Sequence, residues 1–355
     1  MRLPLAGRSV PTPLKNAALT AADAAGRVGR RSRALPDFLI VGAQRCGTTT
    51  LYKALMQHPQ VFGPTLRKGV HFFDTAYGRG TDWYRSRFPL RRTVRAAAGG
   101  AGGVVGESSP YYLFHPLCAE RIAADLPEAK VVVMLRDPVE RAHSAHSHES
   151  ARGYETEPFE RALDLEAERI AGEEERLAAA GPSERSFHHQ HHAYVARGRY
   201  IDQLLRLERH VGRERMFVVD AERFFADPDR HFPELEEFLG VRHCPGVVFG
   251  HHNARPRAEL PERLRRRLEE AFADSDERLA EWWGRTPSWR EPEGGRGSRA
   301  QGRSEGKADS EEAADGASDA THGHGSGDGS SNGSSGEGTG DSGTSSSPKY
   351  ASERH

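Results

Sequence analysis

Gly42-Ala43-Gln44-Arg45-Cys46-Gly47-Thr48-Thr49 sets an arginine between two glycines and two threonines behind them, directly after the apolar run Phe38-Leu39-Ile40-Val41. A glycine-rich turn between a strand and a helix presents backbone N–H groups that have no partner inside the helix, so an anion is stabilised there. The spacing matches the phosphate loop G-x-x-x-x-G-K-[ST] except at one position. Thr48 stands where a lysine would reach the β and γ phosphates of a nucleoside triphosphate, and the cation lies three residues earlier, at Arg45. Such a loop is a poor engine for ATP or GTP and a good cradle for a shorter 5′ anion; a glycine-rich turn without a ligand is the alternative.

A second anion position is suggested by Arg136, which follows the apolar run 130–135, and by Ser144, eight residues later. An arginine and a hydroxyl facing one crevice make a compact phosphate site. Arg136 with Asp137 is also readable as an ion pair or a helix cap. His188 and His192, at i and i+4, and the cluster His143, His146 and His148 invite a metal reading, but no carboxylate accompanies them at zinc-site spacing. They are read as surface histidines, and no metal is expected.

These groups need elements to hold them. Residues 37–42 read as a strand and Thr48–Gln57 as a helix with Leu51, Leu55 and Met56 apolar. A strand is expected at Val104–Gly106, a helix at 118–126, and a central strand at 130–135 that is apolar on both faces, as inside a parallel sheet. Asp137-Pro138 opens a helix running to about Arg152. A charged helix over 157–177, a helix at 200–211, a strand at 216–219 and helices at 229–239 and 260–283 complete the alternation. The pattern predicts an α/β fold: a parallel, doubly wound sheet with helices on both faces, in a single domain over 35–290.

The chain has 355 residues, with 50 Lys plus Arg against 51 Asp plus Glu, and the near balance conceals unequal ends. Residues 1–34 carry seven basic residues and one acid and read as a flexible leader able to make weak contact with an anionic membrane surface. Residues 291–355 carry twelve acids against six bases, with 29 Gly or Ser, and are expected to be a disordered acidic tail, since they cannot bury enough apolar surface to offset ordering entropy. The middle is nearly neutral, which gives no reason to expect nucleic-acid binding. No apolar run is long enough to span a bilayer or to serve as an export signal. Cys46, Cys118 and Cys244 are scattered and odd in number, as in a reduced, cytoplasmic protein.

Taken together, PDFLIVGAQRCGTTTLYKAL, RKGVHFFD, GESSPYYLFHP and VVVMLRDPVERAHSAHSHE resemble, in order and spacing, the sulfotransferases that use 3′-phosphoadenosine 5′-phosphosulfate (PAPS), above all the heparan sulfate N- and 3-O-sulfotransferase branch and its bacterial relatives. The resemblance spans about Pro36 to Trp289. It implies a donor site on Arg45, Cys46, Gly47, Thr48, Thr49 and Thr50 for the 5′ phosphosulfate, with Arg136 and Ser144 for the 3′ phosphate. It also implies sulfuryl transfer to a hydroxyl or amine of a carbohydrate or glycoconjugate, without a metal. A P-loop kinase or nucleotide hydrolase, with Asp137 as its Mg²⁺ ligand, and a binding protein of this fold without turnover are the competing readings.

Two departures bear on chemistry. Arg45 stands where the family usually has lysine, and Gly69 where relatives commonly have the glutamate proposed as general base. His71, two residues on and expected on the same face of an extended segment, is the nearest replacement, with an ordinary pKa near ~6.5 suited to proton abstraction. Glu107 and Asp74 are the other candidates. Lys68 is expected to face the donor or acceptor anion, Ser108 to alter acceptor recognition, and His251, Asn253 and Arg255 are weak candidates for the loop around the 3′ end of the donor.

Overall fold

The computed structural model describes residues 29–65, 68–100, 102–250 and 259–291. Most of the expected leader and tail, and His251, Asn253 and Arg255, lie outside them. The described residues form a five-stranded, wholly parallel sheet: β1 (Phe38–Gly42), β2 (Val61–Phe62), β3 (Val104–Ser108), β4 (Lys130–Leu135) and β5 (Met216–Asp220), in the order β2-β3-β1-β4-β5. Phe38, Leu39, Ile40 and Val41 of β1 and Val131 to Leu135 of β4 are fully buried, because helices cover both faces of the two central strands.

Strand order decides where a ligand can sit. From β1 the chain moves outward to β2, returns through β3 beside β1, and only then crosses to β4 on the opposite side. The loops leaving β1 and β4 therefore diverge and open a crevice at the carboxyl ends of the strands. Gly42 ends β1 and Leu135 ends β4, so Arg45 and Arg136 both arrive at this crevice.

The helices that flank the site start as their sequences direct. Asp137 caps the Pro138–Ala151 helix by accepting from the amides of Val139 (2.9 Å) and Glu140 (3.4 Å), with Pro138 in the first turn. The Tyr200–Val211 helix buries Tyr200, Ile201, Leu204 and Leu207 against the sheet. The charged helix expected over 157–177 is two, Phe159–Ile170 and Glu173–Ala179, separated at Gly172, whose φ is 69°. Glu291 pairs with Arg223, and Trp289 and Arg290 bond to Asp276, so the described fold extends through Glu291. Among the described residues, no helix is long and apolar enough to cross a membrane.

Candidate active site

The loop after β1 turns into the Thr48–Leu55 helix through Gly47, which has φ 84°. A Cβ at Gly47 would approach the Phe225 ring to 2.4 Å, so both the backbone angle and the close aromatic neighbour require glycine. No side chain caps this helix, and its first backbone bond is Leu51 N–H to the Gly47 carbonyl at 3.1 Å. The first-turn amides are thus directed to the crevice without a protein acceptor from a cap, as an anion cradle needs.

Arg45 also has a left-handed backbone, φ 71°, which turns its side chain toward the helix that follows β4. There Arg45 Nε donates to Ser144 Oγ at 3.0 Å, while Arg136 Nη1 lies 3.5 Å from the Arg45 carbonyl oxygen. Three residues read from two separate motifs meet at one point, spanning 99 positions of sequence. Thr49 Oγ1 accepts from Lys68 Nζ at 2.7 Å, tying the loop to the segment that leads to His71. Thr48 and Thr50 are buried in the same turn. Cys46 departs from the expected donor set: its thiol is fully buried, 3.7 Å from the Tyr200 hydroxyl, and burial pushes it up to about 11. Its amide bonds to the Ala43 carbonyl at 3.3 Å, so neither group faces the crevice.

Two further residues contact this cluster, Arg197 at Gln44 and Glu222 at Arg136. Arg197 is buried between the rings of Tyr111 and Phe114, each 4.9 Å from its guanidinium carbon. It donates to the Gln44 side chain and to the carbonyls of His189 and Gln190. Glu222, just beyond β5, lies beside Arg136; the carboxyl-end rule that picks out Arg136 also picks out this residue once β5 is placed.

On the other side of the loop, His71 is not in an extended segment. It has φ 53° and caps the short helix Phe72–Thr75, which turns its ring back over Asp74. His71 Nδ1 bonds to Asp74 Oδ2 at 2.7 Å; the imidazole is 46% exposed and the carboxylate completely buried. Among the described residues nothing partners Nε2. Desolvation pulls the imidazole pKa down, but the Asp74 charge and hydrogen bond outweigh it and leave it above the ordinary histidine value. Burial raises the Asp74 carboxyl, and the His71 charge and bond, with the Thr75 amide, bring it below the usual carboxylate range.

Glu107 is in a different situation from a base that meets an acceptor. It is fully buried, and its two oxygens accept from the hydroxyls of Tyr84 (2.6 Å), Tyr112 (3.0 Å) and Ser109 (2.8 Å) and from the Val70 amide (2.6 Å). Burial raises its pKa, opposed by the Tyr84 and Val70 bonds. Four donors leave little capacity for a substrate proton, and the carboxylate fastens β3 to the segment before His71. Glu107→Ala is expected to strand these donors at about 1 to 3 kcal/mol for each buried group left unsatisfied. A fall in melting temperature of at least about 5 °C in a thermal scan checks this. Unchanged stability with lost turnover would return a catalytic role to Glu107.

Gly69 packs against the end of β3: a Cβ there would lie 2.5 Å from the Ser108 carbonyl oxygen and 2.9 Å from Ser109 Oγ. A glutamate at this position would displace β3, so a Gly69→Glu rescue is sterically closed in this backbone. Ser108 is itself buried at 1% exposure, out of reach of an acceptor at the surface. His188 and His192 bond to each other through Nδ1 at 2.8 Å, and His146 bonds to the Glu157 carbonyl. Among the described residues, no group of three or more His, Cys, Asp or Glu is arranged to hold a metal.

Residues 35–252 match the family model described as a sulfotransferase domain. This chain belongs to that family. A crystal structure of a sulfotransferase from Alicyclobacillus acidocaldarius superimposes with a TM-score of 0.54 at 32% identity, covering 73% of this chain and 100% of that one. The chain is 29% identical over 214 residues to heparan sulfate glucosamine 3-O-sulfotransferase 3B1 of Mus musculus, covering 60% of this chain and 48% of that protein. It is 27% identical over 267 residues to bifunctional heparan sulfate N-deacetylase/N-sulfotransferase 1 of Caenorhabditis elegans, covering 68% of this chain and 29% of that protein. The sulfotransferase chain thus spans less than half the length of these two curated relatives. Its β1 loop, Arg45–Ser144 contact and His71–Asp74 pair all lie within the matched residues.

Proposed function

We propose that the chain moves a sulfuryl group from PAPS to a hydroxyl or amine of a carbohydrate or glycoconjugate acceptor. The observation that carries this reading is the convergence of Arg45, Ser144 and Arg136 at an uncapped helix N-terminus, which the Lys68–Thr49 bond ties to the segment leading to a histidine held by a buried carboxylate. The loop amides, Thr48, Thr49 and Arg45 receive the 5′ phosphosulfate, and Arg136 with Ser144 receives the 3′ phosphate. The heparan sulfate relatives support a sugar acceptor.

In the reaction, the acceptor atom forms a bond to sulfur as the bridging S–O bond to the 5′ phosphate breaks, and the electron pair leaves with the phosphate. Arg45 and the loop amides stabilise the charge that grows there. His71 Nε2 takes the acceptor proton; Asp74 holds the proton-bearing Nδ1 and stabilises the imidazolium that forms. Lys68, bonded to Thr49, supports the loop between these two centres. The kinase reading loses support at Asp137, whose carboxylate is engaged as a helix cap. The cysteines, none in a disulfide, support a reducing, cytoplasmic setting.

Arg136→Ala tests the donor assignment. It is expected to weaken 3′-phosphoadenosine 5′-phosphate far more than adenosine 5′-phosphate, by about 1.5 to 3 kcal/mol for each charge-assisted bond lost. Calorimetric titration with both ligands checks it; equal losses would make Arg136 a structural residue. Turnover of PAPS with a panel of sugar acceptors separates an enzyme from a binding protein of the same fold.

A further inference from the structure

Arg136 is flanked by two carboxylates. Glu140 Oε2 lies 3.8 Å from Nη2, and Glu222 Oε1 lies 3.7 Å from Nε. The two acids are not equivalent. Glu140 has a second cation, Arg265 of the Glu262–Trp283 helix, at 2.8 Å. Among the described residues Glu222 pairs with Arg136, and its neighbour Arg223 turns away to Glu291 and the Thr286 carbonyl. Glu222 Oε1 accepts the Asp137 amide at 3.3 Å. Among the described residues, Asp220 at the end of β5, the Cys46 thiol and the Tyr200 hydroxyl also interact electrostatically with it, and none of these supplies positive charge. Burial and the like charge of Asp220 outweigh Arg136 and raise the Glu222 carboxyl to about 7.

We propose that Glu222 couples donor recognition to a proton: ionised, it holds Arg136 in the free protein, and it takes up one proton from solvent when a 3′ phosphate binds to Arg136. This rests on the reading that Arg136 receives the 3′ phosphate. Glu140 keeps Arg265 as a partner, but Arg136 cannot balance both Glu222 and a phosphate dianion in a partly desolvated crevice, so Glu222 is the acid that gains the proton. Oε2 carries it, since Oε1 faces the Asp137 amide. The same proton returns to solvent when 3′-phosphoadenosine 5′-phosphate leaves, so a rising pH favours product release and weakens donor binding. A nucleotide without the 3′ phosphate does not disturb the Arg136–Glu222 pair and binds without this uptake.

The sign follows from linkage. Below the free-state value Glu222 is already protonated and uptake vanishes; above it, binding draws up to one proton and affinity falls by at most about tenfold per pH unit. Calorimetric titration of the full chain with 3′-phosphoadenosine 5′-phosphate at pH 8, in two buffers of different ionisation enthalpy, counts the protons. Wild type is expected to take up close to one proton with this ligand and none with adenosine 5′-phosphate. Glu222→Gln is expected to abolish the uptake and to bind the bisphosphate about tenfold tighter at pH 8. Glu222→Ala repeats the comparison if the amide perturbs the Asp137 contact. Uptake that persists in both variants, or is absent in wild type while Arg136→Ala still selectively loses the bisphosphate, overturns the role of Glu222 and leaves the Arg136 assignment standing. Equal losses of the two nucleotides in Arg136→Ala would overturn that assignment, and the coupling with it.

Discussion

His71→Ala is expected to lower kcat by about 10² to 10⁴ while leaving the affinity for 3′-phosphoadenosine 5′-phosphate nearly unchanged, because a general base acts only in the transition state. The imidazole must be neutral to accept a proton, so wild-type kcat should fall as pH drops through its pKa. Asp74 holds that pKa above the ordinary histidine value, which places the acidic limb above about 6.5. The limb should vanish in His71→Ala. Asp74→Asn removes the charge that raises the pKa and should move the limb downward while lowering kcat. Pre-steady-state turnover across pH 5.5 to 9 is the measurement. Retention of the limb in His71→Ala would assign the proton to another group.

Arg45→Ala should have the next largest effect, a loss of about 10² to 10³ in kcat, the scale of removing one donor from a developing oxyanion. Arg45 Nε is bonded to Ser144, which fixes the guanidinium over the loop instead of leaving it to extend into solvent. Arg45→Lys keeps the charge but not the forked geometry, so it should recover part of kcat and lose the Ser144 contact. Single-turnover rates at saturating donor separate the outcomes. A rise in donor KM with kcat intact would show that Arg45 binds ground state and transition state equally, and that the leaving phosphate is stabilised by the loop amides alone.

Much of this protein was legible in its order of residues. The run 130–135 is β-branched and apolar on both faces, a pattern satisfied only at the centre of a covered sheet, and it is β4 to the residue. The helices Tyr200–Val211 and Pro138–Ala151 are written in the same local way, by apolar spacing in one and by Asp137-Pro138 in the other. The glycines mark the turn after β1 because a tight turn and an uncapped helix are local properties of the backbone. What local pattern cannot hold is the pairing of groups far apart in sequence. β2 has two residues, too short for any periodicity, and only its pairing with β3 makes it a strand.

The base shows the same division more sharply. The family resemblance, with Gly69 in the place of the expected base, put His71 forward, and Glu107 and Asp74 beside it. Only the fold separates them: a left-handed backbone at His71 turns the ring onto buried Asp74 and leaves Nε2 outward, while four donors from Val70, Tyr84, Ser109 and Tyr112 close around Glu107. The types of residue able to do the chemistry, and the glycine turn into an uncapped helix, are determined by the sequence itself, because they depend on neighbours in the chain. Which carboxylate is saturated by donors and which is paired with a half-exposed histidine is decided by tertiary packing, because burial and hydrogen-bond saturation depend on neighbours in space.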